Sequence, residues 1–140
     1  MTGFSGDLSS VLKKKSIDDQ RQHRRFPMHW QVAIVFDETE ERPTYHGVTH
    51  EISLAGMSLL TDHNIFTEES VTVLLAVPPL FAGQRKKVVE IRAHMIYTVH
   101  SSDHGRFRIG LKFDRFKGDG RELLAHNLRE RAIVDRDEVE

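Results

Sequence analysis

Val89-Glu90-Ile91-Arg92-Ala93-His94-Met95-Ile96-Tyr97-Thr98-Val99 is the stretch that decides the fold class. Its odd-numbered positions are all apolar and the intervening ones mostly polar. A period of two belongs to a strand, whose successive side chains point to opposite faces, so Val89 through Val99 are expected to turn one face to a core. The pattern returns downstream in Phe107, Ile109, Leu111 and Phe113. Upstream it returns in Met28, Trp30, Val32, Ile34 and Phe36, with His29, Gln31 and Ala33 opposite. Three more strands read as Tyr45 to Ser53, Met57 to Thr61 beyond Gly56, and Val71 to Val77. Turn signals separate them: acidic Asp37 to Glu41 with Arg42-Pro43, then Pro78-Pro79, Ala82-Gly83 and Asp103-His104-Gly105. Five or six short strands, apolar on one face, predict an all-β domain built as a small antiparallel barrel. Asp119 can cap a closing helix with Glu122 as its capping-box partner, and Leu124, Ala125, Leu128 and Ala132 give that helix one apolar stripe.

The chain has 140 residues, room for about one such domain. Lys plus Arg (20) against Asp plus Glu (21) leaves a formal charge of -1, so no global field draws the protein to nucleic acid or anionic lipid, and any anion site must be local. There is no cysteine, which excludes disulfides, thiolate nucleophiles and Cys-based zinc sites and fits a reducing compartment. Met1 to Asp7 has neither a basic start nor an apolar run, so no secretory signal is expected and the cytoplasm is the default location. Val71 to Phe81, the most apolar stretch, is shorter than the ~20 residues a membrane span needs, so no membrane insertion is expected. Residues 1–20 read as a mobile N-terminal tail, 21–133 as the folded domain and 134–140 as a frayed C-terminus. No internal repeat or low-complexity tract occurs.

Two segments carry chemistry. Arg21-Gln22-His23-Arg24-Arg25 is a dense cationic cluster placed just before a strand, and Pro27 keeps the preceding residue out of the helical region. On an extended chain rising ~3.3 Å per residue, Arg21 and Arg25 stand about 13 Å apart, enough to grip an anion or a planar ring system from two sides. Guanidinium groups fork onto phosphate oxygens and the O6/N7 edge of guanine, and they stack on base planes. The second segment is Glu51-Ile52-Ser53-Leu54-Ala55-Gly56. By the strand period, Thr49, Glu51 and Ser53 are expected on the barrel's outside, opposite Val48 and Ile52. A carboxylate accepts from the N1 and N2 hydrogens of guanine, a serine hydroxyl donates and accepts, and glycine permits close backbone approach. Taken singly, the first segment reads as a solvated basic run and the second as turn residues with an exposed carboxylate.

Taken together, in this order and spacing, the two segments resemble the PilZ domain family, whose pattern is RxxxR followed by (D/N)xSxxG. Arg108-Ile-Gly-Leu-Lys-Phe113 is similar to the family's glycine-containing last strand, and the likeness spans roughly Gln20 to Ile133. The resemblance implies a six-stranded antiparallel β-barrel with a C-terminal α-helix that binds cyclic di-GMP (c-di-GMP), a bacterial second messenger with two guanines and two phosphates. By position, Arg21 and Arg25 match the arginines, which contact phosphates and guanine edges in such domains, and Ser53 and Gly56 match the serine and glycine. Arg24 lies between the arginines, a further candidate that the motif does not claim. Glu51 stands where Asp or Asn is usual, keeping the acceptor but adding a methylene.

No catalytic residue is expected. His46 and His50, like His100 and His104, are four apart, which on a strand is ~13 Å, too far to share one metal ion. Asp62, His63 and Ser58 form no ordered triad that sequence can show. The expected function is a non-enzymatic cytoplasmic receptor without cofactor or metal, whose arginine arm is ordered by c-di-GMP and signals to a partner protein. A rival keeps the fold but binds the nucleotide weakly or not at all because of Glu51, acting as an interaction adaptor in surface motility or biofilm formation. A small barrel for single-stranded nucleic acid is a second rival, disfavoured by the near-neutral charge.

Overall fold

The computed structural model describes residues 24–139, with side chains of the final helix described through residue 132. Arg21 and the tail of residues 1–20 lie outside the described residues. Six strands form: β1 (Gln31–Val35), β2 (Thr44–Ile52), β3 (Gly56–Thr61), β4 (Val71–Val77), β5 (Lys87–Ser101) and β6 (Arg106–Phe116). They close in the order β1-β2-β3-β6-β5-β4, with every pair antiparallel and β4 returning to β1. The expected barrel is therefore present, and closure leaves no free sheet edge. Its interior is apolar, with Ile34, Ile52, Leu59, Val73, Leu75, Ile91 and Ile109 almost wholly shielded from solvent.

One helix, α1 (Gly120–Val139), follows the barrel. Asp119 precedes its first turn, and the Asp119 carbonyl accepts from the Leu123 amide at 3.0 Å. Leu124 and Leu128 are buried against the barrel core as the apolar stripe predicts. The stripe also contains two polar side chains. Asn127 is buried, and its Oδ1 accepts from Arg131 Nε at 2.9 Å. The Arg131 guanidinium lies 5.2 Å from the centroid of the Trp30 ring and donates to the Pro78 carbonyl at 3.0 Å. The helical backbone runs to Val139.

Two of the places where strict alternation fails shape the outer wall, and both have the same cause. The β2–β3 register shifts between Thr49 and Glu51, leaving His50 as an extra residue. A one-residue insertion exchanges the faces of everything beyond it. Thr49, expected on the outside, is consequently buried inside: its hydroxyl accepts from the Trp30 amide at 2.8 Å and donates to the Met28 carbonyl. The β5–β6 register likewise slips between Met95 and Tyr97, with Ile96 as the extra residue. Tyr97 and Val99, expected in the core, instead stand on the outer face, while Thr98 donates to the Ile65 carbonyl at 2.5 Å.

At one barrel end, Asp37 ties three elements together. Thr72 of β4 donates to its Oδ2, Arg92 Nη1 of β5 donates to the same oxygen at 2.6 Å, and Arg92 Nη2 reaches Glu38 at 2.7 Å. Burial pushes the Asp37 carboxyl up, but the Thr72 and Arg92 hydrogen bonds and the Arg92 charge outweigh it, leaving its pKa below the ordinary 3.8. A carboxylate with a depressed folded pKa stabilises the fold above its unfolded pKa, and that contribution fades as pH falls through the folded value. Asp37→Asn is expected to lower stability by about 1.5–3 kcal/mol at pH 7, the worth of hydrogen bonds to a charged group. In urea titrations the gap between wild type and variant should hold from pH 8 to about 5 and close below about 4.

Candidate ligand site on the outer barrel wall

The arm that carries the arginines joins the barrel at Phe26. The Phe26 amide donates to the Ile52 carbonyl at 2.7 Å and the Ile52 amide to the Phe26 carbonyl at 2.9 Å, a single antiparallel bridge past the end of β1. Phe26 is buried in the core, which anchors the arm beside the last residues of β2. Arg25 then stands over Glu51, Nη1 to Oε1 at 3.6 Å. Arg24 turns elsewhere: its guanidinium lies 5.2 Å from the centroid of the Phe26 ring.

Ser53 closes the β2–β3 turn. Its amide donates to the Gly56 carbonyl at 2.8 Å, and its hydroxyl oxygen accepts from the amides of Ala55 at 3.0 Å and Gly56 at 3.2 Å. With only 6% of its surface exposed, Ser53 shapes the turn from within rather than standing outside as the strand period predicts. Gly56 is required by its neighbour across the sheet, since a Cβ there would sit 2.3 Å from the Leu111 carbonyl oxygen.

Because of the two bulges, residues from four strands fall into one outward row. Glu51 pairs with Ser58, Ser58 with Gly110, and Gly110 with Tyr97. Gly110 lets the Tyr97 ring lie flat against the wall, since a Cβ at that position would meet Tyr97 Cε2 at 2.2 Å. The Arg108 guanidinium sits 6.0 Å from the Tyr97 ring centroid. Glu51, Ser58, Gly110 and Tyr97 line a hollow of about 490 Å³ whose rim includes Arg25, Ala55, Gly56, Ile96 and Lys112. Ligand sites commonly fall in the range of ~300–1,000 Å³, with a few convergent polar groups among apolar ones.

Of the residues singled out by sequence, Arg25, Glu51, Ser53 and Gly56 meet at this hollow, Arg24 does not line it, and Arg21 lies outside the described residues. Ser58, Tyr97, Gly110 and Lys112 were missed. Tyr97 was hidden by its own alternation, which assigns it to the core unless the Ile96 bulge is known. Beside the row, the rings of His50 and His104 meet at 5.5 Å, a pair drawn from β2 and the β5–β6 turn that no sequence spacing discloses. Among the described residues no group of three or more His, Cys, Asp or Glu is arranged to hold a metal ion.

A closed six-stranded barrel with one closing helix and a cation-rimmed hollow on its outer wall defines a small β-barrel domain with a candidate ligand site. The PilZ domain pattern matches residues 19–130, and the chain belongs to the PilZ domain family. Among solved structures, the inhibitor of motility MotI/DgrA of Bacillus subtilis matches with a TM-score of 0.63 at 18% identity, covering 80% of this chain and 51% of that one. YcgR of Escherichia coli in complex with c-di-GMP matches with a TM-score of 0.55 at 15% identity, over 86% of this chain and 50% of that one. The isolated PilZ domain of YcgR with c-di-GMP matches with a TM-score of 0.53 at 11% identity, over 85% of this chain and 96% of that one. The chain thus spans about half the length of the first two and nearly all of the isolated domain, and at these identities the likeness is one of fold. No curated protein sequence matches at a significant level.

The packing of Tyr97 on Gly110 is directly testable. Gly110→Ala is expected to cost about 1–3 kcal/mol by overpacking. In a Tyr97→Ala background the same substitution should cost less than about 1 kcal/mol, read as the coupling in a double-mutant cycle of urea melts.

Proposed function

We infer that the chain is a c-di-GMP receptor: a non-enzymatic, cytoplasmic domain that holds the nucleotide on the outer wall of its barrel and signals to a partner protein. The observation that carries this reading is the convergence of Arg25, Glu51, Ser53 and Gly56, from two separate motifs, on one hollow in a chain of this family. That YcgR, which shares the fold, has been solved with c-di-GMP supports it.

Each group has a fitting task. The Arg25 fork takes a phosphate or a guanine O6/N7 edge, and Arg21 is the second arginine of the same motif. Glu51 accepts from guanine N1 and N2 hydrogens, and the turn held by Ser53 and Gly56 presents its backbone at the rim. Ser58 adds a hydroxyl, Lys112 a cation for the second phosphate, and the Tyr97 ring an apolar plane for a base. The Arg25–Glu51 pair is about half exposed, and ion pairs of this sort are worth under about 1 kcal/mol, so a phosphate readily displaces Glu51. Closing the arm costs about 1–2 kcal/mol for each residue ordered, which several charge-assisted bonds to a dianion offset. The bridge at Phe26 already anchors one end. No cofactor, metal or nucleic acid enters, and no helix among the described residues is long and apolar enough to cross a membrane.

One observation favours a second reading. Glu51 reaches Arg25 and neutralises it, as an interaction adaptor with weak or no c-di-GMP binding would require. Titration calorimetry separates the two. A receptor binds c-di-GMP in preference to GTP and cyclic GMP, and Arg25→Ala weakens binding roughly 10- to 150-fold, the loss of one charge-assisted hydrogen bond. Glu51→Asp, whose shorter side chain releases Arg25 and restores the family's usual residue, is expected to tighten binding by up to about fivefold, the release of under about 1 kcal/mol. Absence of heat for wild type and for Glu51→Asp alike selects the adaptor.

A further inference from the structure

Away from the ligand hollow, the connection between β4 and β5 forms a second concavity of about 360 Å³ against the face of α1. Its walls are mainly apolar, from Val77, Pro78, Leu80 and Phe81 on the strand side and Leu123 on the helix, where His126 and Asn127 add polar groups. Phe81 and Val88 beside it are 66% and 63% exposed, although neither is needed for the barrel core. The concavity is held open by hydrogen bonds. Arg131 donates to the Pro78 and Pro79 carbonyls at 3.0 and 3.5 Å, is fixed by Asn127 at 2.9 Å, and lies over the Trp30 ring. The connection turns back on itself where the Gln84 amide donates to the Phe81 carbonyl at 3.3 Å.

Three consecutive cations, Arg85, Lys86 and Lys87, follow at the mouth, in a chain whose formal charge is only -1. All three are exposed, and none has an acidic partner among the described residues. Of the carboxylates, Glu90 is paired with Lys117 at 3.7 Å, and Glu130 lies 3.9 Å from His126, which lines the helix side of the concavity. An apolar hollow of one or two side chains' volume beneath exposed cations is complementary to a peptide that inserts a bulky apolar residue and flanks it with carboxylates. A phosphate-rich ligand would leave the apolar walls unused, and a flat lipid surface does not enter a concavity.

We propose that the groove between the β4–β5 connection and α1 is a docking site for an acidic segment of a partner protein, with Phe81 and Leu123 gripping its apolar anchor and Arg85 to Lys87 its carboxylates. The site shares no lining residue with the c-di-GMP hollow, so it stands or falls independently of the ligand reading.

The test uses the full chain and a random twelve-residue peptide library displayed on phage, without nucleotide. The recovered sequences should carry Phe, Leu or Trp next to Asp or Glu. A fluorescein-labelled synthetic copy should bind wild type at least tenfold more tightly than the Arg85→Glu/Lys87→Glu variant, and tenfold more tightly than the same peptide with Lys in place of its acids. The substituted residues are exposed, and unchanged urea melts check that the variant folds. Peptides without acids, or binding indifferent to the charge reversal, overturn the proposal. So does recovery of no peptide with anionic-vesicle binding that the charge reversal abolishes, or with self-association that it abolishes. These outcomes assign the patch to a membrane surface or to a second copy. Failure to recover any binder in all three formats also overturns it.

Discussion

A strand that gains one residue without gaining a partner must turn its remaining side chains over, and this barrel uses that constraint twice on the same wall. The extra residue His50 in β2 sends Thr49 inward and leaves Glu51 outward; the extra residue Ile96 in β5 ends the inward run at Met95 and sends Tyr97 outward. Between the two slips, β3 and β6 keep their register, so Glu51, Ser58, Gly110 and Tyr97 line up across four strands. Without either bulge the row would be broken, one end of it inside the core. The site is a consequence of pairing geometry, and its chemistry follows from which side chains the slips leave facing solvent.

The same slips are held by interior groups that also fix the arm. Thr49, once turned inward, satisfies both the Trp30 amide and the Met28 carbonyl with a single hydroxyl, where a regular ladder would have used backbone partners. Two residues earlier than Met28, Phe26 is bridged to Ile52, so the peptide that delivers Arg25 is bound to β2 on both sides of the bulge. Trp30 in turn supports Arg131, which braces Pro78 and the end of β4. Arm, bulge, core and helix are thereby joined through packed or hydrogen-bonded neighbours, and removing Thr49's hydroxyl would leave the Trp30 amide and the Met28 carbonyl without it at once.

The barrel was legible because most of its strands place apolar residues at every second position. Val71–Val77 and the first half of β5 read correctly from their sequence, as did the closing helix from Asp119, Leu124 and Leu128. Periodicity fails where a bulge intervenes, since an insertion in pairing leaves no mark in composition: Thr49 looks polar and therefore external, Tyr97 looks in phase and therefore internal. Arg25, Glu51, Ser53 and Gly56 could be named because they are close in sequence to a recognisable pattern. Ser58, Gly110 and Lys112 could not, because they reach the hollow only through cross-strand pairing. Arg131 was hidden differently, as a cation on a helix whose inward stripe reads as apolar at Leu124 and Leu128.

The most direct measurement is amide chemical-shift mapping of isotope-labelled protein titrated with c-di-GMP. The account predicts the largest shifts along the outward row and its rim, at Arg25, Glu51, Ser53, Gly56, Ser58, Tyr97, Gly110 and Lys112, with Gln84 to Lys87 across the barrel unmoved. Saturable shifts concentrated elsewhere on the barrel, with this row unchanged, would contradict it.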